Sequence, residues 1–173
     1  MKFFDVLPQL AENELLKRGV MTDELLYCVK ADLDGEGGYV DVYITFTKDT
    51  LCILRGYEEY GKMKRGQKRK NLVSFTVSGY DEYPIDSIEE MYVDRYANSA
   101  RLMIKDKSGK EFPIARFSLG FADKFEKFSQ RVNCTAKNEP IDDRLLEGVK
   151  THCPTCGEPY PDPNRPVCPR CVD

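Results

Sequence analysis

The sequence predicts a mostly β fold: an antiparallel β-sandwich or barrel closed by a C-terminal helix, followed by a small metal-held ribbon. Three observations predict it. Segments of period-two hydrophobicity recur at short spacing after about residue 25, separated by turn sequences rather than by helices. One strongly amphipathic helical stretch follows them, from Ser118 to Val132. Four of the seven cysteines then fall near the end of the chain as two C-x-x-C pairs.

Taken in order, residues 1–24 are an N-terminal helical segment. "QLAENELLKR" (9–18) has helix-forming composition and stops at Gly19. A sheet domain over 25–134 comes next. In "YVDVYITF", Val40, Val42, Ile44 and Phe46 share one face, and Tyr39, Asp41, Tyr43 and Thr45 share the other. The remaining strand candidates are "LLYCVKADL", "TLCILRG", "NLVSFTVSGY", "IEEMYVDRY", "ARLMIKD" and "KEFPIAR", with turn signals at "DGEGG", "KD" and "DKSGK". The absence of strand–helix alternation argues against a doubly wound α/β sheet. After Ser118, read as an N-cap, "LGFADKFEKFSQRV" sets Phe121, Phe125, Phe128 and Val132 along one stripe. That stripe is expected to plug the sheet, which makes the arrangement pleckstrin-homology-like, or GRAM-like. Residues 135–152 read as a polar connector with a short helix at "DDRLLEGV", and 153–171 as the ribbon.

Composition narrows the function. With 26 Lys and Arg against 29 Asp and Glu, the chain carries a net charge of −3, and nucleic acid is not expected as a partner. No apolar run approaches the roughly 20 residues that cross a bilayer. "MKFFDVLPQLAENELLKRG" lacks the apolar centre of a secretory signal. A cytosolic location follows, so the thiols are expected reduced and the cysteine pairs read as metal ligands before disulfides.

Cys153 and Cys156 form the first pair, and Cys168 and Cys171 the second. Each two-residue gap lets the backbone turn and aim two sulfurs at one ion. Together they supply the tetrahedral thiolate set of a structural Zn²⁺ site, at about 2.3 Å per Zn–S bond. The proline-rich "GEPYPDPNRPV" between them has almost no core of its own, so metal binding would provide its folding free energy. Four sulfurs leave no open position for activating water. His152 reads as a neighbour of the first ligand rather than a fifth one. Cys28 and Cys52 sit in expected strands and read as small core residues, and Cys134 as partly exposed.

Two near-motifs fail. "GYEEYGKM" (56–63) lacks the hydroxyl residue of a P-loop and puts Glu58 and Glu59 where phosphate would lie. "NCT" at Asn133 is formally a glycosylation acceptor, but a cytosolic chain would not meet the enzyme. With one histidine and no hydroxyl nucleophile in an acid–base setting, the chain is not expected to be an enzyme. "KMKRGQKRK" places Lys62, Lys64, Arg65, Lys68, Arg69 and Lys70 in one inter-strand loop. It reads as a solvated hairpin loop or, more sharply, as a contact for anionic headgroups worth about 1 kcal/mol per cation.

"MKFFDVLPQLAENELLKRGV", "YCVKADLDGEGGYVDVYITFT", "FSLGFADKFEKF" and "CPTCGEPYPDPNRPVCPRC" together resemble the N-terminal cytosolic region of certain bacterial ABC exporters. In that family a PH-like domain and a zinc ribbon precede the transmembrane and ATPase parts of one polypeptide. The resemblance implies a non-catalytic accessory domain on the cytoplasmic side of the inner membrane, with membrane helices following the ribbon. From it only the four ribbon cysteines carry over as functional residues. Two other readings use the same residues: a free-standing zinc-ribbon adaptor that recruits a protein or, second to that, nucleic acid, and a redox or metal-sensing switch.

Overall fold

The computed structural model describes residues 4–63, 66 and 70–141. The ribbon cysteines, His152, most of the connector and Lys64, Arg65, Lys68 and Arg69 of the basic loop lie outside those residues.

Seven strands form one antiparallel sheet: β1 (Tyr27–Asp34), β2 (Tyr39–Phe46), β3 (Thr50–Tyr60), β4 (Leu72–Pro84), β5 (Ile88–Tyr96), β6 (Ser99–Asp106) and β7 (Glu111–Ser118). Every strand candidate of the sequence is among them. Their order across the sheet is β4-β3-β2-β1-β7-β6-β5. The first four strands thus make one meander and the last three another. β1 and β7 join the two over only Leu33–Arg116 and Asp34–Ala115. Beyond that short join the strands part, and the helix α2 (Ala122–Ala136) packs over the opening, chiefly against β5 and β1.

The core lies between α2 and the inner face of the sheet. Val40, Val42, Ile44 and Phe46 are all buried there, as their shared period requires. Phe125 stacks on Phe117 with ring centroids 3.7 Å apart, and Phe128 meets Phe46 edge-on at 5.4 Å. Phe125, Phe128 and Val132 are fully buried, but Phe121 is 44% exposed. The reason is that residues Leu119–Phe121 form a 3₁₀ turn before α2 starts, which swings Phe121 off the stripe. Ser118 ends β7 and makes no side-chain capping bond, so it is not the N-cap of α2.

The opposite face carries a second core that the alternation of β2 does not announce. Tyr43 and Thr45, on the other face of β2, are 2% and 1% exposed. The N-terminal segment covers Tyr43: Ala11 and Leu15 of α1 (Gln9–Leu16), together with Val20, pack with Cys28, Tyr43, Cys52 and Leu54. Gly19 ends this helical stretch at φ +82°, a conformation that glycine adopts without Cβ strain. Cys28 and Cys52 are small core residues, as expected.

Candidate interaction site

The β3–β4 hairpin runs past the rest of the sheet. The last β2–β3 pair is Asp41–Gly56, whereas β3 and β4 stay paired from Tyr57–Thr76 out to Tyr60–Leu72. The result is a two-stranded overhang ending in the basic loop. "GYEEYGKM" therefore belongs to strand and hairpin rather than to a phosphate-binding turn. Gly56 marks the root of the overhang, where a Cβ would lie 2.5 Å from Phe75 Cζ and 2.6 Å from the Thr76 carbonyl oxygen. No larger residue fits that approach.

A buried polar knot holds the overhang to the sheet. The Glu58 side chain is 2% exposed, and its carboxylate accepts from Lys30 Nζ at 2.7 Å. It also accepts from the hydroxyls of Tyr43 and Tyr60. Asp41 completes the knot, bonding Lys30 Nζ at 2.9 Å and the Glu58 N–H at 3.0 Å. Burial raises the Glu58 carboxyl, but donation from Lys30, Tyr43 and Tyr60 outweighs it and holds the pKa below the ordinary value. Burial would lower Lys30, yet its two carboxylate partners hold it above the ordinary lysine range. Burial first, and then the bond to Glu58, push the Tyr43 hydroxyl up. These shifts move Glu58, Lys30 and Tyr43 further from neutrality, so the knot suits a structural anchor better than an acid–base pair.

Outward from the knot the hairpin exposes apolar and cationic side chains, together with Glu59, which accepts from the Ser74 hydroxyl at 2.7 Å. Tyr57, Tyr60, Met63 and Val73 are 53%, 50%, 58% and 59% exposed. Lys62 and Lys70, the two described members of the basic loop, are exposed beside them. Sequence reasoning found the cations and missed the apolar side chains. The signal for them was the register that leaves β3 without β2 beyond Gly56, which no local pattern records.

A concavity of about 360 Å³ lies where β1 parts from β7. Asp5, Lys30, Asp32, Tyr39, Arg116, Phe121 and Lys124 are among its lining residues. Its charges are largely consumed: Lys124 Nζ lies 2.6 Å from Asp5, Lys30 is held in the knot, and Arg116 Nε donates to the Gly35 carbonyl. The buried thiols are also poor nucleophiles. Burial, helped by the nearby Asp5 charge, pushes Cys28 up to about 12, and burial raises Cys52. Among the described residues no group of His, Cys, Asp and Glu could hold a metal ion. None of the described helices is long and apolar enough to cross a membrane. No protein-family model, curated protein or solved structure matches the chain.

Proposed function

We propose that this chain is a non-catalytic accessory domain of a bacterial ABC exporter, docking on anionic headgroups at the cytoplasmic face of the inner membrane through its β3–β4 hairpin. The seven strands and α2 form a pleckstrin-homology-like domain in this reading. Two meanders meeting at a short β1–β7 join, with one helix over the opening, support that assignment.

The observation that carries the membrane contact is the overhang itself. It exposes Tyr57, Tyr60, Met63 and Val73 beside a segment with six cations in nine residues, 62–70. Tyrosine suits the interface because its ring is apolar and its hydroxyl stays wet. Met63 and Val73 supply apolar area to bury, and each Lys or Arg near an anionic surface adds about 1 kcal/mol.

The zinc ribbon of Cys153, Cys156, Cys168 and Cys171 joins this domain to the transmembrane part. The donor set fits the ion chemically: four soft thiolates satisfy a tetrahedral zinc and leave no reactive position. When bound, the metal supplies folding free energy to a segment poor in apolar residues. Transport and ATP hydrolysis belong to the parts that follow in the polypeptide.

Vesicle co-sedimentation tests the headgroup contact. The expected result is binding to phosphatidylcholine vesicles containing about 30% phosphatidylserine, little binding to phosphatidylcholine alone, and loss in high salt. Replacing the six cations by alanine should abolish it, and Met63→Ser with Val73→Ser should weaken it. Equal binding to neutral and anionic vesicles, or binding to neither, overturns the reading and turns attention to a protein ligand. An open frame after Asp173, encoding apolar spans and a nucleotide-binding motif, is expected of the parent gene.

A further inference from the structure

The chain seals its exposed strand edges at several places with its own side chains and backbone. At β5, Asn133 of α2 acts as a substitute strand: its Oδ1 accepts from the Met91 N–H at 2.7 Å and its Nδ2 donates to the Met91 carbonyl at 2.9 Å. Where β1 has parted from β7, the Asp5 N–H donates to the Cys28 carbonyl at 3.0 Å. The Asp5 carboxylate accepts from the Lys30 N–H at 2.7 Å. Lys124 Nζ reaches the Lys30 carbonyl at 3.3 Å.

Apart from the Ser87 hydroxyl on the Pro84 carbonyl at its very end, the outer edge of β4 has no such cover among the described residues. β4 is the terminal strand, and among the described residues no backbone hydrogen bond leaves it on the side away from β3. At 13 residues it is also the longest strand of the sheet. From Leu72 to Tyr80, "LVSFTVSGY", it carries no charge and no proline, two of the means of discouraging an added strand, and relies on bulges alone. Two register shifts against β3 leave Val73 and Ser78 as extra residues, so the regular run between them is Ser74–Val77.

What flanks that run selects the partner. Basic residues precede it, ending at Lys70, and acidic residues follow it at Asp81 and Glu82. Two such strands laid antiparallel bring the basic end of one against the acidic end of the other. Laid parallel, they would set like against like.

We propose that the β4 edge pairs with the β4 edge of a second copy of this chain, antiparallel about a two-fold axis near Thr76, with Lys70 of each copy facing Glu82 of the other. The contact is isologous, so each pair occurs twice. It is short and weak, a few ladder bonds and two charge pairs rather than a large buried area. The inference goes beyond the headgroup reading and does not depend on it, because it rests on backbone and on one cation of the loop.

Sedimentation of the full chain between about 10 μM and about 1 mM, a range suited to weak interfaces, tests it. Monomer should pass reversibly to dimer, and hydrogen exchange at the β4 amides should slow as concentration rises. Thr76→Glu sets two carboxylates at the axis and should weaken association about tenfold or more. Lys70→Glu and Glu82→Lys should each weaken it several-fold, and the double swap Lys70→Glu with Glu82→Lys should restore it to within about twofold. Circular-dichroism melting confirms that each variant is folded. Wild type that stays monomeric with unchanged exchange across the range overturns the proposal. So does a double swap no stronger than the single ones, or a dimer indifferent to all four changes. The exchange measurement needs no variant and decides even if one fails to fold.

Discussion

Replacing Glu58 by alanine removes one carboxylate that three donors share, and the three do not lose equally. Lys30 keeps Asp41 at 2.9 Å, and with its side chain 24% exposed it can also recruit water. Tyr60 is 50% exposed, so its hydroxyl rehydrates at little cost. Tyr43 is 2% exposed and among the described residues its hydroxyl donates to Glu58 alone, which leaves an enclosed donor worth about 1–3 kcal/mol. Loss of the Lys30 bond, discounted for its exposure, adds about 1 kcal/mol. Glu58→Ala should therefore cost about 3 kcal/mol in urea unfolding. At 173 residues that is a fall in Tm of about 6–12 °C. Glu58→Gln keeps a carbonyl for Tyr43 and should cost about half as much. The pH dependence gives a second reading. The folded carboxyl sits below its unfolded value of 4.5. Its stabilisation is therefore fully present above pH 4.5 and is lost as pH falls through the lower folded pKa. In Glu58→Gln that part of the acid-side loss disappears. A Glu58→Ala protein within about 1 kcal/mol of wild type would refute the reasoning, as would a Glu58→Gln acid limb that superimposes on wild type.

Two further outcomes concern the helix and the tail. Phe128→Ala, which empties a fully buried site against Phe46 and Phe4, should cost about 3–5 kcal/mol in denaturant titration, whereas Phe121→Ala on the exposed 3₁₀ turn should stay below about 1 kcal/mol. Equal costs would contradict the division of the phenylalanine stripe. Elemental analysis should find about one zinc per chain, falling to near none in Cys156→Ser with Cys171→Ser, and full zinc content in that double variant would dismiss the ribbon.

Which parts of this structure were legible in the sequence follows from what local pattern can encode. Alternation records which side chains face inward, so all seven strand candidates form strands and Val40, Val42, Ile44 and Phe46 are buried as expected. Alternation cannot record what covers the other face. Tyr43 is buried because α1, more than 20 residues earlier, packs with it, and no periodicity ties the two segments together. The phenylalanine stripe was read correctly at Phe125 and Phe128 and misread at Phe121, since a 3₁₀ turn changes the angular step just before the helix. Of the candidate site, the cations were visible as composition. Its apolar members depend on the β2–β3 register, and the Glu58 knot on that register and the β1–β2 one, which together bring Lys30 and Tyr43 to a residue 28 and 15 positions away.

That register also explains why the root of the overhang is polar. Well-packed apolar side chains at positions 30, 43 and 58 could hold the hairpin about as firmly, because the desolvation of buried charges offsets most of their attraction. They would not hold it in one register. A slip of β3 by a single residue turns Glu58 to the opposite face, leaves the Tyr43 hydroxyl enclosed without an acceptor, and separates Lys30 from one of its two carboxylates. Apolar residues would merely repack after such a slip. The same slip would exchange the faces on which Tyr57 and Tyr60 project, and it would shift β4 relative to the sheet. The knot thus fixes direction more than it adds stability, and what it directs is the end of the sheet that carries the exposed apolar side chains, the cations and the open strand edge.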